Sequence, residues 1–333
     1  MSQPPDAALE EKARALQGPI LVLGASGFIG ANLLQHLLKF RNDVWGTASR
    51  LPAWRLVGVP AQVRAVDLLA DSALDELLDS VKPRTVFDCV AYGAYSFETE
   101  IARVYRTNFD LVLRLLQRLE SRNIAAYVHA GSSSEYGENA AGPSEESFTA
   151  PNSHYAVSKV AAANLIYFYG KKRALPCANL RLYSVYGPME DSSRLIPVVV
   201  RCGLQGNLPP FARPETSRDF VYIDDACQAF LDAAIGLRPS LYGESFNIAS
   251  GKKMTLRDVA FAAREVFGIA ATPVFSGEGR SWDLSDWFGS VDKARQRLHW
   301  QARTEFCEGL RRTAAWYSAL EDTAAYQRAT KKS

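Results

Sequence analysis

Tyr155 and Lys159 are the residues best placed to do chemistry. They lie four apart in Tyr155-Ala156-Val157-Ser158-Lys159, at the head of a segment, 154–170, with a helical pattern. Positions i and i+4 of a helix share one face, so the phenol and the ammonium point the same way. A phenol with a pKa of ~10 exchanges protons poorly at neutral pH, and a nearby ammonium corrects this by stabilising the phenolate. Ser132 follows the apolar run AAYVHAG (125–131) and is placed to hydrogen-bond the same substrate oxygen. These three side chains suit moving a proton on or off a carbinol oxygen. The hydride that must accompany it needs another carrier.

A cradle for that carrier stands at Gly24-Ala25-Ser26-Gly27-Phe28-Ile29-Gly30, between the apolar run ILVLG (20–24) and a helical stretch at 29–40. Glycines there allow a tight turn and a close approach of backbone to pyrophosphate. The helix N-terminus adds free N–H groups and a favourable dipole. The spacing is G-x-x-G-x-x-G rather than G-x-G-x-x-G, and its place between a strand and a helix is what makes it informative. A nicotinamide dinucleotide is therefore expected against Gly24, Ser26, Gly27, Phe28, Ile29 and Gly30. The next strand, DVWGTAS (43–49), lacks near Ala48 the acidic residue that bonds an adenosine ribose 2′-hydroxyl. Ser49 and Arg50 stand there instead, a hydroxyl and a guanidinium suited to a 2′-phosphate. This favours NADP(H), with NAD(H) as the alternative. Asp67-Leu68, ending VRAVDL (63–68), is placed to contact the adenine, although Asp67 also suits a turn cap.

The elements that must hold these residues alternate along the chain. A helix near 73–80, the run TVFDCVA (85–91) with Ala91 at its tip, a helix at 104–121, AAYVHAG, the 154–170 helix and CANLRLY (177–183) follow one another. That order implies an α/β fold, a doubly wound parallel sheet covered on both faces. After Ser184 the texture changes: Pro188, Pro197, Pro209, Pro210 and Pro214 punctuate short segments, with RDFVYID (218–224) and ESFNIAS (244–250) as later strands. Residues 19–184 are expected to form the dinucleotide-binding domain, with strands returning near 218–250. Residues 185–320 are expected to supply a smaller, partly interleaved substrate domain, with 1–18 a mobile or partner-facing extension in which Ala7 to Gln17 suit a short helix, and 321–333 a frayed tail.

Composition narrows the classes further. The net charge is +2 and no basic stripe occurs, so nothing supports a nucleic-acid or membrane-surface partner. No apolar run is long enough to span a bilayer, and the polar start offers no signal-peptide core. The five scattered cysteines fit neither a disulfide framework nor a zinc site, which suggests a reducing cytoplasm and no bound metal.

With GASGFIG, Asp67-Leu68, Thr107-Asn108, GSSSEYG (131–137), YAVSK, LRLYSVYGP (180–188), RDFVYIDD (218–225) and DKARQRLHW (292–300) in this order, the chain resembles the extended short-chain dehydrogenase/reductase family. That family contains nucleotide-sugar epimerases, dehydratases and ketoreductases. The resemblance runs from about residue 19 to 310 and implies a Rossmann-type fold. It makes Ser132, Tyr155 and Lys159 the catalytic triad and adds Ala91 and Asn108 to the cofactor site. A nucleotide-diphosphate sugar is the implied substrate, with Ser133, Ser184 and Arg218 against it and Arg280 and Asp283 on its nucleotide. Ser184 departs from the family, where asparagine usually precedes V-Y-G-P. The helices at 104–121 and 154–170 resemble a pair that forms a four-helix homodimer interface, with Leu113, Leu116, Tyr167, Phe168 and Tyr169 supplying apolar surface.

The reaction is narrowed by what is missing. Dehydratases of this family carry Thr-Asp-Glu before V-Y-G, and this chain offers Ser132-Ser133-Ser134. Serines cannot replace a carboxyl pair in abstracting one proton and delivering another. Glu135 is one residue out of register and is expected on the opposite face of a strand. Decarboxylation lacks its glutamate in the same way. An NADP(H)-dependent 4-ketoreductase of a 4-keto-6-deoxy sugar nucleotide is the favoured reading, because Ser49-Arg50 suits NADPH. The alternative is a 4-epimerase that retains its cofactor. A catalytically silent NADP-binding regulator typically loses the tyrosine or the lysine, and both are present.

Overall fold

The apolar runs become short strands, and the central ones, Ile20–Leu23 and Thr85–Asp88, are buried along their length, as strands covered on both faces must be. A computed structural model of the chain describes residues 5–59, 62–94, 98–277 and 284–330. Its strands in chain order are β1 Ile20–Leu23, β2 Val44–Ala48, β3 Val63–Ala65, β4 Thr85–Asp88, β5 Ala126–Ser132 and β6 Cys177–Leu182. Five more follow: β7 Ser184–Tyr186, β8 Ser217–Arg218, β9 Phe220–Tyr222, β10 Glu244–Ile248 and β11 Met254–Thr255. Seven of them form one sheet in the order β10-β6-β5-β4-β1-β2-β3, and every pairing in it is parallel. The chain winds outward from β1 to β3 and then back to β4, so the order reverses at the β1/β4 junction. In doubly wound sheets that reversal opens a ligand crevice at the carboxyl ends of the strands.

The helices are α1 Pro5–Ala15, α2 Phe28–Leu38, α3 Asp71–Val81, α4 Ile101–Tyr105, α5 Leu111–Glu120 and α6 His154–Arg173. They continue as α7 Leu195–Leu204, α8 Ile223–Gly236, α9 Leu256–Phe267, α10 Phe306–Ser318 and α11 Thr323–Thr330. Leucines of α3 and α5 pack with α6 side chains on one sheet face, and α1, α2 and α8 are among the helices that cover the other. No helix among the described residues is long and apolar enough to cross a membrane.

Four expectations change. Over the described residues 5–18 the chain does not form a mobile extension, because α1 lays Leu9 and Ala13 in the core, Leu16 follows just past its end, and Lys12 pairs with Asp232 of α8 at 2.8 Å. Arg41 then closes the end of α1 by donating to the carbonyls of Ala13 and Leu16 at 3.0 and 2.7 Å. The 321–333 tail is not frayed over 323–330, since α11 buries Tyr326 among Trp54, Trp316 and Tyr317. RDFVYID is two strands rather than one, split where Asp219 turns inward to accept hydrogen bonds from Ser250 and Gly251. The 104–121 helix starts at Ile101 and carries a π turn, Arg106–Asp110, at the Thr107-Asn108 motif. Of the five apolar residues assigned to a dimer face, Leu116 and Tyr169 are buried in the core, whereas Tyr167 and Phe168 are exposed.

Tyr326 gives a direct test of the ordered C-terminal helix. Truncating a fully buried aromatic side chain costs about 3–5 kcal/mol. Tyr326→Ala is expected to lower the thermal midpoint by several degrees, as read by circular dichroism. An unchanged midpoint would mean that this helix does not dock.

Candidate active site

The glycine turn sits on the β1/β4 junction, and its glycines are required by contact. Gly24 has φ +71°, and a Cβ there would lie 2.9 Å from the carbonyl oxygen of Cys89, just past β4. A Cβ on Gly30 would lie 2.4 Å from the carbonyl oxygen of Gly24, so α2 packs directly on the turn. Gly27 is the N-cap of α2, and no side chain caps that end. Tight backbone and an uncapped helix N-terminus fit the pyrophosphate of a dinucleotide. Ser26, Phe28 and Ile29 are half-buried along the same turn. Arg55, which carried no sequence signal, reaches this turn by donating to the Ser26 carbonyl at 3.3 Å and the Met189 carbonyl at 2.8 Å.

The remaining cofactor candidates separate. Ser49 and Arg50 are exposed just past β2. Asp67 accepts the Leu69 N–H at 3.0 Å, capping its own turn, while the Leu68 side chain is buried in the core. Ala91 is exposed in the loop after β4. Asn108 is spent as a clamp: its amide accepts the Tyr92 N–H at 2.9 Å and donates to the Tyr92 carbonyl and the Ser158 hydroxyl at 2.7 and 3.0 Å. The π turn thus ties the loop after β4 to α6, and Asn108 acts through that loop.

The three residues expected to be catalytic, Ser132, Tyr155 and Lys159, lie around the end of β5. Ser153 caps α6 by accepting the Ala156 N–H at 3.1 Å, which fixes where the helix starts and which way Tyr155 and Lys159 face. Tyr155 is half-buried and hydrogen-bonded to Ser132. Desolvation pushes its phenol up to about 12, against the bond to Ser132. Lys159 is 1% exposed and donates to the Ala130 carbonyl at 2.8 Å, with Nζ 6.0 Å from the centre of the Tyr155 ring. Ammonium and phenol are one helical turn apart, but the ammonium bonds the Ala130 carbonyl and faces His129 Nε2 at 3.4 Å.

Ser132 is presented by a turn, not by a continuing strand. Residues Ser133–Tyr136 form one 3-10 turn, in which Ser132 Oγ accepts the Ser134 N–H and the Glu135 carboxylate accepts the Ser132 N–H, both at 3.1 Å. Glu135 therefore does not lie on the far face of a strand as the register argument holds. It is fully buried, accepts from Arg181 Nε at 2.7 Å and from Asn179 at 3.2 Å, and is committed to structure.

On the substrate side, Ser133 accepts from the indole of Trp287 at 3.1 Å, and the Arg218 guanidinium lies 5.1 Å from that ring. The two predicted residues thus meet through an aromatic that no motif marked. Ser184 opens β7, its N–H bonded to the Asp219 carbonyl at 2.9 Å. Arg280 and Asp283 lie outside the described residues.

The glycine turn thus lies at the sheet reversal, with Ser132 at the end of the β5 strand and Tyr155 and Lys159 on α6. The model of the NAD dependent epimerase/dehydratase family matches residues 20–249. The chain belongs to this family. It is an enzyme of the extended short-chain dehydrogenase/reductase class. It is 28% identical over 321 residues to a Bacillus subtilis (strain 168) protein described as the uncharacterized UDP-glucose epimerase YtcB, covering 90% of this chain and 98% of that one. It is 27% identical over 310 residues to a UDP-glucose 4-epimerase of Mycolicibacterium smegmatis, covering 89% and 97%. Its fold matches the crystal structure of a Bacillus cereus UDP-glucuronic acid 4-epimerase in complex with UDP-glucuronic acid and NAD, with TM-score 0.78, 25% identity and 90% and 98% coverage.

The loop after β7 lies against this site and holds a carboxyl under strain of burial. Glu190 has one oxygen without a partner among the described residues, and burial pushes it up to about 8. A folded value above the ordinary 4.5 gives stability that is full at low pH and falls as pH rises towards about 8. Glu190→Gln is neutral throughout, so its thermal midpoint is expected to drop less than the wild type's over that window. Parallel curves for the two proteins would contradict the assignment.

Proposed function

We propose that the chain is a 4-epimerase of a UDP-sugar that keeps its nicotinamide dinucleotide bound through the cycle. The observation that carries this reading is the likeness, over about nine-tenths of the chain, to proteins described as UDP-glucose epimerases. The site agrees with it: Ser133 and Ser134 stand where a dehydratase needs its acid pair, and Glu135 is bound to Arg181.

A nicotinamide dinucleotide held by the glycine turn Gly24–Gly30 would supply hydride acceptance and return at sugar C4. Tyr155 takes the proton of the C4 hydroxyl and returns it once the keto sugar has presented its other face. Ser132 holds the same oxygen and shares a hydrogen bond with Tyr155. Arg218, with Trp287 beneath it, holds the diphosphate while the sugar turns. An NADP(H)-dependent 4-ketoreductase is the second reading, favoured by Ser49 and Arg50 at the end of β2 where no carboxylate stands. Exposed Tyr167 and Phe168 on α6 support a homodimer in either case.

Two measurements on one preparation test this. Native mass spectrometry is expected to find NAD or NADP retained on the purified protein. Tyr155→Phe is expected to keep that cofactor while interconversion of UDP-glucose and UDP-galactose falls about 10²- to 10⁴-fold. Oxidation of NADPH by a 4-keto sugar nucleotide, with no retained cofactor, would favour the reductase. Unchanged turnover in Tyr155→Phe would remove both readings.

A further inference from the structure

Behind Lys159 lies a chain of buried polar groups that the reaction as described does not use. Asp88 ends β4 and is register partner of His129 in the adjacent parallel strand β5. Its Oδ2 accepts from His129 Nδ1 at 2.9 Å and from the Tyr127 hydroxyl at 2.7 Å, and its Oδ1 accepts the Val90 N–H at 3.1 Å. With Nδ1 donating to Asp88, the Nε2 lone pair of a neutral imidazole faces Lys159 Nζ at 3.4 Å. Asp88, His129 and Lys159 are each 1% exposed or less.

A buried ammonium loses its charge unless something opposes desolvation. Desolvation pushes Lys159 down, and Asp88, Glu135 and Cys89 push back. Desolvation and Lys159 hold the His129 imidazole neutral, against Asp88 and Glu135. Asp88 itself stays below its ordinary value, because His129, Tyr127 and Lys159 outweigh its desolvation. The charged and titratable groups around this ammonium are thus Asp88 and Cys89 at the end of β4, Tyr127 and His129 on β5, Glu135 in the serine turn and Tyr155 on α6. Glu135 is paired with Arg181, and Cys89 stays a thiol because burial raises it. Asp88 is the one remaining anion in that set.

We propose that Asp88 and His129 are positioning residues for the reaction, a carboxylate–imidazole arm that holds Lys159 as an ammonium beside Tyr155. The arm works as carboxylates do behind metal-bound histidines, fixing the tautomer so that the far nitrogen presents a lone pair. This deepens the Tyr155–Lys159 reading and rests on it. A purely structural role for Asp88 would be met by its bonds to Tyr127 and Val90 alone, and would leave the charge state of Lys159 alone.

The first test needs no substrate. In two-dimensional NMR of 15N-histidine-labelled protein, His129, assigned by its loss in His129→Gln, is expected as the neutral Nδ1–H tautomer from about pH 6 to 8. A charged ring or the Nε2–H tautomer overturns the proposal, whatever the protein acts on. The second test uses Asp88→Asn and Tyr127→Phe. Removing the Asp88 charge lowers the pH at which Lys159 loses its proton. The high-pH limb of UDP-glucose turnover is therefore expected to move down by about one pH unit in Asp88→Asn. Turnover near neutrality should fall about 10- to 100-fold. Tyr127→Phe keeps the charge and is expected to leave the limb in place, whatever it costs in stability. A folded Asp88→Asn protein with the wild-type limb overturns the proposal while the epimerase reading stands. If UDP-glucose is not turned over at all, that reading fails and the NMR result still decides this one.

Discussion

An ammonium that is 1% exposed is the most demanding object in this structure. Moving such a charge out of water costs several kcal/mol unless its surroundings return it through hydrogen bonds and a counter-charge. The Ala130 carbonyl supplies the first and the Asp88–His129 arm the second, and both depend on β4 and β5 lying side by side in fixed register. Parallel pairing of Asp88 with His129 puts the carboxylate and imidazole on one sheet face, where α6 brings Lys159 down onto them. The same register sets Leu23, the last residue of β1, beside Asp88, so the glycine turn and the lysine share one junction.

A second buried pair does for the serine what this arm does for the lysine. Glu135 and Arg181 form an ion pair under the Ser133–Tyr136 turn, and Arg181 also donates to the Tyr136 hydroxyl at 2.8 Å. Losing one partner of such a pair costs about 3–5 kcal/mol, since the other is left charged and buried. That pairing holds Ser132 at the end of β5 and occupies the Glu135 carboxylate with Arg181.

Much of this was legible in the sequence, and the parts that were not share a cause. Apolar runs marked every strand of the large sheet, and the glycine turn and Tyr155/Lys159 spacing marked both halves of the candidate site. The serine triplet excluded an acid pair by simple count. Asp88 and His129 were visible as polar residues inside otherwise apolar runs, TVFDCVA and AAYVHAG, but their pairing depends on register between strands about forty residues apart, which no local pattern carries. The same holds for Trp287 meeting Ser133 and for Arg55 reaching Ser26. The terminal helices were misjudged for a different reason. Their polar composition suggested disorder, whereas a few apolar side chains, Leu9 and Ala13 at one end and Tyr326 at the other, suffice to dock them on a core already formed.

The preference for a reductase rested on two exposed residues just past β2, while the epimerase reading rests on likeness over about nine-tenths of the chain. The two differ in where the C4 hydrogen goes, and that can be followed directly. With UDP-glucose carrying deuterium at C4, the account predicts UDP-galactose that keeps the label at C4, with none passed to water or to free cofactor. Label appearing in released reduced cofactor, or product without inversion at C4, would contradict it.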